Sequence, residues 1–289
     1  MKLTNPSELK AVIERFGFSF SKGLGQNFLI DDDVLSAIAD GSGANKNEGA
    51  LEIGPGAGTL TAALAERAAR VAAVEIDKRL LPLLGCTLGG FDNVTVIEGD
   101  ILKLDLKSLI SEQFGTMPVR VVANLPYYIT TPIIMAFLEN EVPVKSLTVM
   151  VQKEVADRMT ASPGGKDYGA LTAAVQFYTE PHIICRAEPH CFMPQPKVAS
   201  TVIRLDVAER PTVEVGNKEL MFKIIKSAFG QRRKTLLNAL SHSPYVNLGK
   251  ETVTECIAAV GLRSDIRGEK LSLAEFAALT DKIEEVAKL

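Results

Sequence analysis

Apolar, β-branched runs alternate with amphipathic stretches from residue 50 onward, and this alternation restricts the possible folds more than any other feature of the chain. The candidate strands are residues 50–53, 70–76, 94–98, 119–123 and 146–151. Strands that are apolar along their whole length and separated by helices form parallel sheets, because each crossover packs a helix on the sheet. The sequence therefore predicts an α/β fold in which helices cover both faces of a parallel sheet.

The remaining predicted elements are one pair of strands and several helices. Residues 182–188 and 200–205 are predicted to form a last pair of strands, and Thr130-Thr131-Pro132 predicts the start of a helix that reaches residue 138. After Asp206 the predicted elements are helices at residues 218–229, 232–240, 252–260 and 274–288. We therefore expect a first domain of residues 1–207 and a small, all-helical C-terminal domain of residues 208–289.

The net charge argues against a protein whose whole surface is basic. The 289 residues carry a formal net charge of -3, so a nucleic-acid partner would have to be met by a local basic patch. The N-terminus lacks the apolar core of a signal peptide, and no apolar run reaches the roughly 18 residues of a membrane-spanning helix. We therefore expect a cytoplasmic protein without a membrane partner.

The four cysteines form no C-x-x-C pair, which is typical of free thiols in a reducing compartment. The group that most resembles a metal site is His182, Cys185, His190 and Cys191. Its spacings match no zinc pattern, and side chains that happen to be neighbours on a strand pair explain it better. We therefore expect no metal.

A glycine-rich loop, Gly54-Pro55-Gly56-Ala57-Gly58-Thr59, follows the first predicted strand of the sheet and opens a helix. Its glycines allow the backbone to approach a ligand closely. The dinucleotide pattern requires glycine at the first, third and sixth positions, but the sixth position here is Thr59. The loop also lacks the Lys-Ser/Thr ending of a nucleotide-triphosphate loop. The sequence therefore argues against NAD and against a phosphate-binding loop.

Acidic residues end the next two strands at positions that suit an adenosyl group. Glu75 comes at the end of the second strand, where a carboxylate can accept both ribose hydroxyls. Asp100 follows the third strand and can accept from an adenine amine. An adenosyl pocket without a phosphate cradle fits S-adenosylmethionine. The alternative, in which the glycines only permit a tight turn, leaves these two carboxylates unexplained.

The fourth strand stops at Asn124-Leu125-Pro126-Tyr127. The Asn124 side-chain oxygen and the Leu125 carbonyl are candidates to accept the two N–H groups of an exocyclic adenine amine, which would turn its lone pair toward a methyl sulfonium. Tyr127 would stack on the base, and Phe192 is the candidate for the other face of the ring. In the alternative interpretation, Asn124 only caps a turn before Pro126 and the tyrosine belongs to the core.

Positive charge is concentrated at the start of the predicted C-terminal domain. The residues between 218 and 234 include Lys218, Lys223, Lys226, Arg232, Arg233 and Lys234 against Glu219 alone. Such a surface would contact phosphates without reading base sequence. We predict RNA contact by Lys223, Lys226, Arg232, Arg233 and Lys234. A solvated helix end is the alternative, but it does not explain why the charge has one sign.

The chain resembles the KsgA/RsmA family of ribosomal RNA adenine dimethyltransferases, within the class I methyltransferases, over nearly its whole length. The matching segments are 25–29 (GQNFL), 52–61 (EIGPGAGTLT), 74–77 (VEID), 99–101 (GDI), 124–127 (NLPY), 192–198 (FMPQPKV) and 229–236 (FGQRRKTL). The resemblance implies a Rossmann-like sheet and a methyl donor, S-adenosylmethionine, held by Asn27, Leu29, Gly54, Glu75, Asp100 and Asn124.

The resemblance also implies a substrate. It implies two methyl groups on each of two adjacent adenosines near the 3′ end of small-subunit ribosomal RNA, added to a pre-assembled 30S subunit late in its biogenesis. We expect a monomer. Two alternatives remain open: a resistance-type enzyme that dimethylates one adenosine of large-subunit RNA, and a non-catalytic assembly factor.

Overall fold

The protein is described by a computed structural model that covers residues 2–21, 23, 25–246 and 248–287. The chain divides into two compact units. The first comprises Met1–Ala156 and Pro181–Val207, and the second comprises Asp157–Glu180 and Ala208–Leu289. Residues 157–180, predicted to belong to the first domain, group with the C-terminal helices instead. Their contacts are with residues far along the chain, which no local pattern reveals.

The elements follow one another in the order that the alternating pattern predicts. Up to the end of the parallel strands they are α1 Pro6–Arg15, β1 Phe28–Leu29, α2 Asp32–Gly41, β2 Gly49–Ile53, α3 Thr59–Arg67, β3 Arg70–Glu75, α4 Leu81–Leu88, β4 Val94–Glu98, α5 Leu106–Phe114, β5 Val119–Asn124, α6 Tyr127–Glu139 and β6 Ser146–Gln152. The remaining elements are α7 Lys153–Met159, α8 Ala170–Tyr178, β7 Thr179–Ala187, β8 Phe192–Met193, β9 Ser200–Val207, α9 Lys218–Gly230, α10 Leu236–Ser241, α11 Lys250–Ala259 and α12 Leu273–Ala287.

A seven-stranded sheet in the order β4-β3-β2-β5-β6-β9-β7 forms the centre of the first unit. The strands from β4 to β6 are parallel, and β9 runs antiparallel to β6. All five residues of β2 are buried, so both faces of the sheet are covered at its centre. The predicted parallel sheet is confirmed. It brings the ends of β2, β3, β4 and β5 to one edge, where ligands bind in open α/β sheets.

A short antiparallel pair lies beside this edge. In it, Phe28 of β1 pairs with Met193 of β8, and Leu29 pairs with Phe192. The hydrogen bond from Ile30 N to Cys191 O, at 2.8 Å, continues the pairing. Residues close to the N-terminus are thereby held against the segment that precedes the last strand of the sheet.

Helix α6 begins one turn earlier than the sequence predicts. Pro126 is its N-cap, Tyr127 is its first residue, and Pro132 lies inside it. Pro126 has a φ of -56° and a ψ of 134°, and its carbonyl accepts from Ile129 N at 3.1 Å as the first turn begins. Thr130, the predicted cap, instead donates its hydroxyl to Pro126 O at 3.1 Å.

The second unit is helical, as predicted. Tyr168 is buried and donates its hydroxyl to Leu271 O at 2.8 Å, while Phe276 is buried against Phe229. The predicted helix at 232–240 is wrong in its first residues, because Thr235 caps α10 and leaves residues 231–234 in a turn. Lys288, the predicted end of the last helix, lies outside the described residues. No helix of the described chain is long and apolar enough to cross a membrane.

Candidate active site

A cavity lies at the carboxyl edge of the parallel strands. It is lined by the loops that follow β2 to β5, by residues 25–29, and by one residue of β8. All the residues predicted to contact the donor or the target base line this one cavity: Asn27, Leu29, Gly54, Glu75, Asp100, Asn124, Leu125, Pro126, Tyr127 and Phe192. These positions are spread over more than half of the sequence, and the fold brings them together.

The loop after β2 has a backbone that glycine is needed to adopt. Gly54, Gly56 and Gly58 have φ values of 70°, 59° and 89°, a region that side chains disfavour. A Cβ on Gly56 would lie 2.9 Å from Cε1 of Phe28, which is closer than carbon atoms pack. The loop therefore leaves room for a ligand and for the N-terminal segment at the same time.

Glu75 is held in a fixed orientation at the end of β3. Its Oε1 accepts from Asp77 N at 2.8 Å, and its Oε2 accepts from Gly56 N at 3.3 Å. The side chain is 4% exposed, and this burial raises the pKa of the carboxyl although the two backbone hydrogen bonds lower it. The next residue, Ile76, is 49% exposed and lines the cavity. Ile76 was not predicted as a site residue. An apolar residue directly after the acidic end of a strand was the feature that could have indicated it.

Glu52 lies deeper in the same cavity wall. It is 1% exposed, and burial raises the pKa of its carboxyl to about 8. The Thr61 hydroxyl lowers this pKa only in part, because Glu52 Oε2 and Thr61 Oγ1 both lack a hydrogen bond of normal geometry among the described residues. A buried acceptor without a partner is costly, so it suggests a ligand that would donate to it. Glu52 was not predicted as a site residue. An acidic residue within an otherwise apolar strand was the feature that could have indicated it.

The predicted target-base residues are each fixed by a contact. Asn124 donates its Nδ2 to Asn27 O at 3.3 Å, which leaves Oδ1 as the acceptor of the amide. The Tyr127 hydroxyl and Ser200 Oγ lie 2.8 Å apart, so the ring is tethered at its far end. Phe192 lines the cavity although its side chain is only 2% exposed. The cavity lining thus combines an oriented amide oxygen with two aromatic side chains.

Three side chains of the metal-binding types approach one another outside this cavity. Ligand atoms of Asp31, His190 and Cys191 lie within 4.8 Å of one another. Cys191 Sγ donates to Asp31 Oδ2 at 3.5 Å, and burial raises the pKa of this thiol. A protonated thiol that already has an acceptor, in a set of three, falls short of a four-ligand zinc site. The expectation that no metal is bound stays a prediction.

The basic residues of the second unit differ in whether their charge already pairs with an acidic side chain. Lys223 pairs with Glu219 at 2.6 Å. Arg232 pairs with Glu269 at 2.7 Å and also donates to backbone carbonyls, so its guanidinium is occupied within the fold. By contrast, Arg233 and Lys234 are exposed in the turn before α10. The charge excess counted along the sequence is therefore reduced by Glu269, which lies outside the counted segment.

The whole chain was compared with known proteins. The family model described as ribosomal RNA adenine dimethylase matches residues 17–284. The chain belongs to this family. Among similar proteins of the family, Ribosomal RNA small subunit methyltransferase A of Alkaliphilus oremlandii (strain OhILAs) is 52% identical over 282 residues, or 98% of each chain. The protein of the same name from Geobacillus thermodenitrificans (strain NG80-2) is 50% identical over 283 residues, or 97% of each chain.

Solved structures share the fold of this family member. A dimethyladenosine transferase from Plasmodium falciparum matches with a TM-score of 0.71 and 25% identity, over 87% of this chain and 95% of that chain. The 23S rRNA methyltransferase ErmE matches with a TM-score of 0.67 and 24% identity, over 89% of this chain and all of that chain. The predicted class I methyltransferase fold with a helical C-terminal part is thereby confirmed.

Proposed function

We propose that the protein transfers methyl groups from S-adenosylmethionine to the N6 amines of two adjacent adenosines near the 3′ end of small-subunit ribosomal RNA, giving dimethyladenosines during late 30S assembly. The observation that carries this proposal is the oriented Asn124 amide in a cavity that is also lined by Glu75 and Asp100, the carboxylates that suit an adenosyl group. Relatives named Ribosomal RNA small subunit methyltransferase A, similar over almost their full length, support the choice of RNA.

The donor half of the cavity suits a cationic adenosyl compound. Glu75 would accept the ribose hydroxyls, Asp100 would accept from the adenine amine, and Ile76 offers an apolar surface for the adenine ring. The backbone at Gly54, with Asn27 and Leu29, would enclose the rest of the donor. When bound, S-adenosylmethionine supplies an electrophilic methyl group on a sulfonium. No phosphate is required, which agrees with a loop that lacks the phosphate-binding pattern.

The acceptor half suits an amine that is a poor nucleophile. The lone pair of an exocyclic adenine amine is delocalised into the ring, so transfer depends on holding the nitrogen in the reactive orientation. Asn124 Oδ1 and the Leu125 carbonyl would each accept one N–H, and these bonds strengthen as the nitrogen becomes positively charged. Pro126, the N-cap of α6, fixes the backbone on which both acceptors lie. A strong general base is not needed.

Aromatic surfaces would hold the target base. A base must leave its stack to reach a cavity of this kind, and stacking on protein rings offsets part of that cost. The tethered ring of Tyr127 would take one face and Phe192 the other. Modest adjustment of either ring would admit the bulkier monomethylated base for the second transfer.

RNA contact through the second unit would place the enzyme on its substrate. Arg233 and Lys234 are the strongest candidates because they are exposed. Lys226 would add charge along α9, whereas Lys223 and Arg232 would contribute less while they pair with Glu219 and Glu269. We expect the protein to act as a cytoplasmic monomer on the assembling 30S subunit.

The test uses small subunits that lack the methyl groups, a labelled methyl donor, and primer extension across both ribosomal RNAs. We expect label at two adjacent adenosines of the small subunit and none in the large subunit. Asn124→Ala should abolish transfer while subunit binding stays close to that of the unaltered protein. Label confined to large-subunit RNA would favour a resistance-type enzyme, and binding without label would favour an assembly factor.

A further inference from the structure

The N-terminal segment, residues 25–29, contacts two of the residues proposed to act on the target base. Asn27 O accepts from Asn124 Nδ2 at 3.3 Å. Two residues later, Leu29 pairs with Phe192 in the β1–β8 ladder. A shift of this segment would therefore release the Asn124 amide and displace the Phe192 ring together. Whatever fixes the segment also fixes the acceptor half of the cavity.

A second side-chain hydrogen bond joins the segment to the sheet edge. Gln26 Nε2 donates to Asp77 Oδ2 at 2.9 Å, while Gln26 Oε1 accepts from Ser21 N at 3.0 Å. Both ends of this amide are therefore used, with one bond to a charged acceptor. Hydrogen bonds to charged groups are about twice as strong as neutral ones. The Gln26–Asp77 bond is thus the strongest side-chain contact that the described residues provide between the segment and the strand ends.

Asp77 is itself fixed by the donor half of the cavity. Its backbone N–H donates to Glu75 Oε1 at 2.8 Å, and its carboxylate receives Nε and Nη2 of Arg79 at 2.8 and 2.6 Å. The hydrogen bonds from Arg79, with that from Gln26, hold the pKa of the Asp77 carboxyl below its usual range. The acceptor of the Gln26 bond is therefore a permanent charge on the same short turn as the proposed ribose acceptor.

We propose that Gln26 and Asp77 form a positioning pair that couples the donor half of the cavity to its acceptor half. The contacts run from Glu75 through Asp77 and Gln26 to Asn27, and from there to Asn124. Donor binding that steadies the turn around Glu75 also steadies the amide that receives the target amine. The assignment of roles to the two halves rests on the proposed function, whereas the coupling of the segment to Asp77 does not.

Packing alone does not account for this pair. The rings of Phe18, Phe20 and Phe28 pack together, and this packing also holds the segment, since Phe28 belongs to it. Such packing needs neither an amide at position 26 nor a carboxylate at position 77. If packing alone holds the segment, changing the side-chain chemistry at positions 26 and 77 should leave the segment and donor binding unaffected. If the pair positions the segment, the same changes should affect both.

The test exchanges the two groups. Gln26→Glu places two carboxylates in contact, Asp77→Asn removes the charged acceptor, and the double variant restores an amide–carboxylate hydrogen bond with donor and acceptor reversed. Asp40→Asn, which breaks an exposed ion pair with Arg67, is the control for loss of an acidic charge. Thermal unfolding of each variant establishes that it is folded.

Two readouts separate this inference from the proposed function. In the protein without donor, amide hydrogen exchange of peptides covering residues 25–29 should become about tenfold faster in Gln26→Glu and return toward the original rate in the double variant. Calorimetry should show S-adenosylmethionine binding weakened by about tenfold and recovered in the same pattern. Unchanged exchange in Gln26→Glu, or a double variant no better than Gln26→Glu alone, would overturn the pair. Failure of the unaltered protein to bind the donor would instead refute the proposed function, and the exchange rates would still decide the pair.

Discussion

Replacement of Glu52 by glutamine removes a buried, ionisable acceptor from the cavity wall while keeping its shape. The carboxyl has a pKa of about 8 in the folded protein against an ordinary value of 4.5. Below pH 4.5 both the folded and the unfolded protein carry the proton. Between pH 4.5 and 8 the unfolded chain releases it and the folded protein does not, so the free energy of unfolding falls as pH rises.

The size of this effect follows from the pKa difference. Each pKa unit corresponds to about 1.4 kcal/mol, so the raised pKa of Glu52 lowers stability by about 3 kcal/mol at pH 7 and by about 5 kcal/mol above pH 8. Glutamine has no proton to release in this range. The stability of Glu52→Gln relative to the unaltered protein should therefore increase steadily between pH 5 and 8 and then level off.

Urea unfolding at a series of pH values measures this difference directly. Glu66→Gln, on the exposed side of α3, is the control for loss of a carboxylate and should follow the pH dependence of the unaltered protein. A stability difference independent of pH would show that Glu52 ionises normally and that its burial has no such cost.

Other substitutions test separate parts of the site. Gly56→Ala should cost about 1–3 kcal/mol in stability through its φ of 59° and should also displace Phe28, so donor affinity measured by calorimetry should fall. Glu75→Gln should weaken donor binding by tenfold or more while subunit binding in a filter assay stays unchanged. Exchanging both Arg233 and Lys234 for glutamine should weaken subunit binding and leave donor affinity unaltered. The slope of the binding constant against salt concentration should fall by about two released counterions. An unchanged slope would contradict RNA contact by these two residues.

The sequence predicts the fold well because its signals are local. Strands β2 to β6 are rich in apolar and β-branched residues, and the loop after β2 carries glycines at positions of positive φ. The start of α6 was misplaced because Thr130 and Pro132 resemble a helix start, although Pro126 supplies an equally good one.

The parts of the site that the sequence does not reveal depend on distant contacts. Among the described residues Glu52 Oε2 has no hydrogen-bond partner, and Ile76 is exposed; both are properties of the folded cavity. The bond between Gln26 and Asp77 joins residues 51 positions apart, and the pairing of Arg232 with Glu269 lies outside any segment in which charges would be counted. Patterns of spacing identify residue types, whereas partners are set by tertiary structure.

The pairing of residues 28–29 with residues 192–193 has a consequence for a chain that is synthesised from its N-terminus. When the ribosome has reached Gln152, all the parallel strands exist, but the cavity wall at Phe192 and strand β9 do not. The intervening Asp157–Glu180 belongs to the other unit, so a long loop must close before β1 finds its partner. The nascent protein therefore cannot complete its cavity until these later segments have emerged.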